Sequence, residues 1–195
     1  MSQDQFESLF NKAKELMQRT LDPVHDWFHI ERVLANAEKI FNLLSEEKRK
    51  TIDRKILKLA IAWHDISFIK HKASPWQYLF EGWRAKKIAK KYFKQFGLAK
   101  KEIRLLADII LRHNWIEKFI YIRMFLSKKR SICYQIVQDA DTLDYFHQDR
   151  IEQAKMMVKN SLFRRNLMNL LKPIFINYFY KHKRYFLNLK ESLEV

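Results

Sequence analysis

The sequence predicts an all-α fold, arranged as a single-domain helical bundle. Only 2 of the 195 residues are glycine and 3 are proline, so few residues suit the tight turns of a sheet-rich protein. Apolar residues recur at spacings of three and four along most of the chain, as on the buried face of a helix. We therefore expect one helical domain over residues 1–195, with core helices at about 20–150 and C-terminal helices at about 151–195.

The first helix is predicted from its cap and from its apolar stripe. Ser2 and Gln5 stand at the spacing of a capping box, and apolar residues follow at helical intervals up to Leu16. We expect the helix to end near 19–20, because Asp22, which precedes a proline, disfavours helical backbone.

The second helix begins after Asp26, a residue type that caps helices. Its apolar stripe runs from Ile30 to Leu44. His29 falls at the border of the stripe, within the first turn, where a side chain can face a site between helices. His25 lies one turn earlier, on a face that we expect to be less inward.

The third helix is predicted at about 51–65, and its end carries the strongest functional signal. A mostly apolar run from Leu57 to Trp63 is followed directly by His64 and Asp65. Burying an imidazole and a carboxylate is unfavourable unless each has a partner. A metal cation satisfies both, and the negative end of a helix favours a cation. A structural salt bridge between the two side chains is the alternative.

A basic loop and two further helices follow. The loop 67–74 includes Lys72, which could meet a phosphate or simply be solvated. A helix is expected from Ser74-Pro75 to about Phe96, stopped by Gly97. A fifth helix is expected at about 99–114, with His113 at its end.

An acidic helix is expected at Ile132–Tyr145, where Asp139, Asp141 and Asp144 lie within two turns. Like charges so close repel unless a cation or basic side chains neutralise them. Asp139 and Asp144 border the apolar stripe, whereas Asp141 is turned further out. Helical angles alone leave the choice of ligand among the three open.

The C-terminal segment, residues 148–193, is expected to be helical with a kink at Pro173. Aromatic residues alternate there with lysines and arginines. Such a surface can stack nucleic-acid bases, but packing of the aromatic residues on the body of the protein is the more common outcome.

Composition limits the location and the partners. Cys133 has no second cysteine to pair with, which indicates a reducing compartment, and no apolar run is long enough to span a bilayer. We expect a cytoplasmic, soluble protein. Its net charge of +16 favours polyanions, including nucleic acid and phosphorylated small molecules.

Four polar side chains that interrupt apolar helices form one candidate constellation: His29, His64, Asp65 and one aspartate of the group 139–144. Two imidazoles and two carboxylates make a mixed set of nitrogen and oxygen ligands. Such a set suits divalent Mn²⁺, Fe²⁺, Co²⁺ or Zn²⁺ and does not select among them.

The order of these residues resembles the HD-domain superfamily of metal-dependent phosphohydrolases, whose pattern is H…HD…D on an all-helical fold. Residues 25–33 (HDWFHIERV) resemble its HDxxHxxRV opening, residues 60–66 (AIAWHDI) its HD helix, and residues 139–144 (DADTLD) its DADxLD segment. Motif for motif, the resemblance implies the metal ligands His29, His64, Asp65 and Asp141. Asp139 and Asp144 remain second candidates for the last ligand, and Mg²⁺ joins the candidate ions.

The resemblance implies a phosphohydrolase for a nucleotide or other small phosphoester, with water as the nucleophile. For such a reaction we expect Asp65, His113 and Asp144 as the catalytic residues, and Arg32, Lys72 and His113 as the substrate-binding residues. His113 stands where many relatives carry a histidine, and it could bind phosphate or a second metal. Two alternatives remain, a nucleic-acid-binding module and a phosphate-ligand sensor without turnover, both on the same scaffold.

Overall fold

A computed structural model describes residues 1–71, 74–113, 131–145, 147–157 and 177–195. Its regular elements are helices, with no strand in these ranges, which confirms the all-α prediction. The principal helices are α1 (Gln3–Met17), α2 (Trp27–Leu43), α3 (Glu46–Lys50), α4 (Arg54–Trp63), α5 (Pro75–Gln95), α6 (Lys100–Arg112), α7 (Ile132–Tyr145), α8 (Gln148–Met157) and α9 (Lys183–Phe186). Two short 3-10 helices lie at Ile66–Ile69 and Glu191–Glu194.

Several predicted helix ends are present in the structure. Ser2 and Gln5 form the capping box of α1, and the Asp26 side chain accepts a hydrogen bond from the backbone N–H of His29 at 2.9 Å. Gly97 follows α5 with a φ of +70°, a backbone conformation that glycine adopts at little cost. These caps fix where α1 and α2 begin and where α5 ends.

The region around α4 differs in detail from the prediction. The helix begins at Arg54 rather than near residue 51, because the Asp53 side chain accepts hydrogen bonds from the backbone N–H groups of Lys55 and Ile56. The short helix α3 precedes it and was not predicted. Its five residues are all charged and none is buried, so it has no apolar periodicity to detect.

Helix α4 lies at the centre of the bundle and contacts α1, α2, α6 and α7. Its residues from Leu59 to Trp63 are completely buried. A helical stretch that is apolar on all sides, as this last part of α4 is, is stable only inside the protein, surrounded by other helices. The C-terminal end of α4, where His64 and Asp65 follow, is therefore buried as well.

Two close helix pairs surround α4: α2 packs along α7, and α5 packs along α6. Gly82 allows the second pair to approach closely, because a Cβ atom at this position would collide with the carbonyl oxygen of Leu111. The pairs bring the start of α2, the end of α4, the end of α6 and the middle of α7 to one place.

The described end of the C-terminal segment, residues 177–195, is less helical than predicted. Helix α9 ends at Phe186, and a non-helical stretch leads to the 3-10 helix at Glu191–Glu194. The Asp139 carboxylate accepts hydrogen bonds from the backbone N–H groups of Asn188 at 2.7 Å and Leu189 at 2.9 Å. The kink expected at Pro173 lies outside the described residues.

The described aromatic residues of this segment differ in their exposure. Phe179 is buried, whereas Tyr178, Tyr180 and Tyr185 are exposed. Among the helices that the structure describes, none is both long enough and apolar enough to cross a membrane.

Candidate metal centre

Four of the predicted ligand side chains meet at one buried point. The Nε2 atom of His29 lies 3.2 Å from Nε2 of His64 and 3.2 Å from Oδ2 of Asp65. Oδ1 of Asp141 lies 3.5 Å from the same His29 nitrogen. The donor atoms come from the start of α2, the end of α4 and the middle of α7. Ligands bonded to one metal at about 2.0–2.2 Å are separated by roughly 3–3.5 Å. His29, His64 and Asp141 together have the spacing of ligands to one divalent ion, and Asp65 lies beside both histidines.

The local backbone orients the histidines toward this point. The residue after α4, His64, donates its Nδ1–H to the carbonyl oxygen of Ile61 at 2.6 Å. His29 donates its Nδ1–H to Oδ2 of Asp144 at 2.7 Å. In the neutral form each ring then presents the lone pair of Nε2 to the centre. Metal-binding histidines are commonly held in this way, by a hydrogen bond from the other ring nitrogen.

One carboxylate oxygen at the centre lacks the hydrogen bond that its burial demands. Oδ1 of Asp141 is buried and accepts no hydrogen bond, although Nη1 of Arg150 lies 3.5 Å away. A buried, unsatisfied carboxylate oxygen is unfavourable by itself. A cation at this position would satisfy it together with the two facing imidazole nitrogens. The donor set therefore fits a divalent metal ion.

The pKa values of His64 and Asp141 in the metal-free protein reflect the same concentration of negative charge. Burial by itself would lower the pKa of His64, but Asp65 and Asp141 outweigh that effect and raise the pKa to about 9. Burial by itself would raise the pKa of Asp141, yet the nearby His64, with the positive charge of its protonated ring, lowers it to about 2. Without a metal, a proton on His64 supplies the positive charge that the two carboxylates require.

A second group of donors adjoins the first through Asp65. Nε2 of His113 lies 3.4 Å from Oδ1 of Asp65 and 3.2 Å from Oε1 of Glu81. His113 donates its Nδ1–H to the carbonyl oxygen of Ile110 at 2.7 Å, so its Nε2 also faces the carboxylates. Asp65, His64 and His113 form a second set with metal-ligand spacing.

Glu81 was not predicted as a site residue. It is only 5% exposed and lies on the buried stripe of α5 with Gln77, Ala85 and Ala89. The sequence signal that could have identified it is an acidic residue at a core position of a helix, because a buried carboxylate requires a polar partner.

A layer of charged side chains supports the centre from behind. Asp144 accepts hydrogen bonds from Nε of Arg32 at 2.6 Å and from Nη1 of Arg150 at 3.0 Å. Nη2 of Arg150 donates to Nε2 of His25 at 3.0 Å, and His25 donates its Nδ1–H to Asp22 at 2.9 Å. The buried Arg150 was also missed, since α8 lacks a clear apolar stripe that would have placed this arginine inward.

Two predicted orientations are wrong, because tertiary packing overrides the angular pattern of a single helix. His25 was expected on a less inward face, yet it is only 3% exposed and stacks on the ring of Phe68. Asp141 was expected to turn outward, yet it is only 6% exposed and faces His29 and His64.

The three aspartates of α7 occupy different surroundings, which distinguishes among the ligand candidates that the helical angles left open. Asp141 faces the histidines, Asp144 contacts His29 at the nitrogen away from the centre, and Asp139 binds the backbone of the C-terminal segment. Arg32 contacts Asp144. Lys72, predicted to bind substrate, lies outside the described residues. Comparison of the chain with protein-family models, with curated proteins and with solved structures finds no match.

Proposed function

We propose that the protein is a metal-dependent phosphohydrolase of the HD-domain type, acting on a nucleotide or another small phosphoester. The observation that carries the proposal is the convergence of His29, His64, Asp65 and Asp141 on one point, with an unsatisfied Asp141 oxygen among them. The same four residues are the ligands that the sequence motifs imply. Geometry and motif thus support the same ligand set independently.

The four side chains would hold a divalent cation, with Mn²⁺, Fe²⁺, Co²⁺, Zn²⁺ and Mg²⁺ as candidates. Such an ion, when bound, lowers the pKa of a coordinated water toward neutrality and polarises a phosphoryl oxygen. Asp144 and the Ile61 carbonyl fix the rings of His29 and His64 by accepting their Nδ1 protons. Arg32 and Arg150 hold Asp144 in place and offset its charge.

His113 is suited to act on the phosphoryl group or on the leaving oxygen. Burial alone would lower its pKa, but its hydrogen bonds to Asp65 and Glu81 raise the pKa well above the ordinary value. In the metal-free protein the contacts with Asp65 and Glu81 favour a proton on Nε2. In this state it can donate a hydrogen bond to a phosphoryl oxygen or a proton to the departing group. Glu81 would keep the ring oriented toward the substrate.

The test is the release of phosphate or pyrophosphate from a panel of nucleotides in the presence of Mn²⁺. Elemental analysis of protein purified without chelator should show a divalent metal. Asp65→Ala should reduce both the metal content and product release to background. The matched control is Asp108→Ala, because Asp108 is an exposed aspartate of α6 that pairs with Arg112.

The outcomes separate the proposed enzyme from its alternatives. Equal activity of wild type and Asp65→Ala would reject the assignment. Metal-dependent nucleotide binding without product release, across the whole panel, would support a phosphate-ligand sensor instead. If the protein contains no metal and binds no nucleotide, the buried histidines and aspartates have only a structural role, as hydrogen-bonded pairs.

A further inference from the structure

A groove between α5 and α6 carries cationic side chains on both of its banks. Lys86, Lys90 and Lys94 line it from α5, and Lys101 and Arg104 line it from α6. The groove encloses about 830 Å³. It involves the outward face of α6, whereas the buried face of that helix leads to His113 and the candidate metal centre.

The positive charge of this groove is largely unneutralised. Asp108 is the one carboxylate among the described lining residues, and it pairs with Arg112 at 3.0 Å. Lys86, Lys90 and Lys94 form no ion pair with any residue in the part of the chain that the structure describes. Like charges gathered in a concave surface raise the local potential and attract an anionic partner.

The spacing of the lysines suits a partner with repeated charges. Lys86, Lys90 and Lys94 follow one another at intervals of four residues, which corresponds to a rise of about 6 Å per step along the helix. A single compact anion would contact only one or two of them. An extended chain of phosphates could contact all three, one at each turn of the helix.

Exposed aromatic rings continue the same stripe toward the start of α5. Trp83 is 58% exposed and lines a neighbouring cavity that shares Lys86, Lys90 and Lys94 with the groove. One turn earlier along the chain, the ring of Phe80 is stacked on that of Trp76, with an interplanar angle of 9°. Aromatic faces beside a cationic groove are the combination by which proteins bind single strands, since every base can stack on them.

We propose that the α5–α6 groove binds single-stranded nucleic acid, with the lysines on the phosphates and Trp83 as a stacking platform. Both banks of the groove are cationic, so a strand lying between them is contacted from two sides. A flat anionic membrane could rest on the rims of the groove but would leave its concave floor without contact. This binding is independent of the chemistry proposed at the metal centre.

The test is fluorescence anisotropy with a labelled 20-nucleotide oligothymidylate, titrated with the full chain at several salt concentrations. The groove variant is the triple Lys90→Glu, Lys94→Glu, Arg104→Glu. We expect salt-dependent binding by wild type and at least a tenfold loss in the groove variant. The slope of log K against log salt should fall by about 0.7 for each phosphate contact removed.

The matched control reverses three exposed positive charges elsewhere, Lys39→Glu, Arg184→Glu and Lys190→Glu. Its affinity should stay within about threefold of wild type if position, and not net charge alone, determines binding. It also tests the C-terminal basic surface, which contributes Arg184. Circular dichroism melting of both triples checks that each variant is folded. Trp83→Ala should weaken binding with little change in the salt slope.

Three outcomes would overturn the proposal: no binding by wild type at low salt, equal loss in both triple variants, or binding to anionic vesicles alone that depends on the groove. Asp65→Ala should bind the oligonucleotide as wild type does. The Asp65→Ala variant tests hydrolysis and the groove variant tests strand binding. Either proposal can therefore fail without the other.

Discussion

His29 and Asp144 are joined by a 2.7 Å hydrogen bond on the side of the imidazole that faces away from the other candidate ligands. The carboxylate can only accept, so it favours the proton on Nδ1, although Nη1 of Arg150 also lies 2.8 Å from that nitrogen. In this tautomer the Nε2 lone pair faces His64 and Asp65. Burial alone would raise the pKa of Asp144, but His29, Arg32 and Arg150 keep it well below the ordinary value. Asp144 therefore remains ionised and holds the ring in one orientation.

Replacing Asp144 should weaken metal binding without removing a ligand. Asp144→Asn keeps the shape of the side chain but loses the charge that fixes the His29 ring. We expect Mn²⁺ affinity to fall by about 10- to 100-fold, as for other changes behind a metal ligand. Isothermal titration of chelator-treated protein measures it, with Asp108→Asn as the exposed control. An unchanged affinity would mean that the backbone alone orients His29.

Replacing Asp139 should affect stability and not metal binding. Its carboxylate accepts from the backbone of Asn188 and Leu189 and from the hydroxyl of Ser192. Asp139→Ala leaves these donors without their acceptor, at a cost of roughly 2–4 kcal/mol. Urea unfolding measures the loss, and Asp149→Ala on the exposed face of α8 is the control. A stable variant with weakened Mn²⁺ affinity would instead make Asp139 part of the metal centre.

Adding a methyl group at Gly82 should separate α5 from α6. Gly82→Ala places a Cβ atom against the Leu111 carbonyl, and relief of that contact costs roughly 1–3 kcal/mol. The shift should lengthen the 3.2 Å contact between Glu81 and His113 and so reduce the proposed hydrolysis. Thermal melting and the nucleotide assay measure the two effects, with Lys91→Ala as an exposed control on α5. A variant as stable as wild type would show that the helices yield without strain.

The contribution of Asp22 to stability should depend on pH. Burial alone would raise its pKa, but the hydrogen bonds from His25 and from the backbone N–H of Val24 lower it. A folded-state pKa below the unfolded value of about 3.9 stabilises the protein above that pH, and the stabilisation is lost as the pH falls further.

Asp22→Asn should therefore destabilise the protein by roughly 1.5–3 kcal/mol at pH 7, and the difference from wild type should shrink below about pH 4. Urea unfolding of both proteins at pH 7, 5 and 3 measures this. A difference that stays constant across the three pH values would mean that the ionisation of Asp22 does not stabilise the fold.

The fold class and most helix positions could be predicted because their signals are local. The caps at Ser2 and Asp26 and the stop at Gly97 each depend on residues within one turn. The short helix α3 could not be predicted, because a helix of five charged residues has no buried face. Its ends are defined by Ser45 and Thr51, whose hydroxyl groups hydrogen-bond to the backbone of Lys48.

The site was predictable in part. His29, His64 and Asp65 interrupt apolar runs, so burial itself drew attention to them. The orientation of Asp141 and the burial of His25 depend on which helices pack beside them, and that information is not contained in one helical pattern. Glu81 and Arg150 reach the centre from α5 and α8 only because of tertiary packing. The positions of Glu81 and Arg150 in the sequence do not indicate that they contact His113 and Asp144.

The three aspartates of α7 connect this helix to three different parts of the molecule. Asp139 accepts a hydrogen bond from the backbone of the C-terminal segment, Asp141 faces the histidines, and Asp144 orients the ring of His29. Sliding or rotating the helix by a fraction of a turn would disturb all three attachments at once. Any mutation that detaches residues 188–192 from Asp139 should therefore also disturb the candidate metal centre.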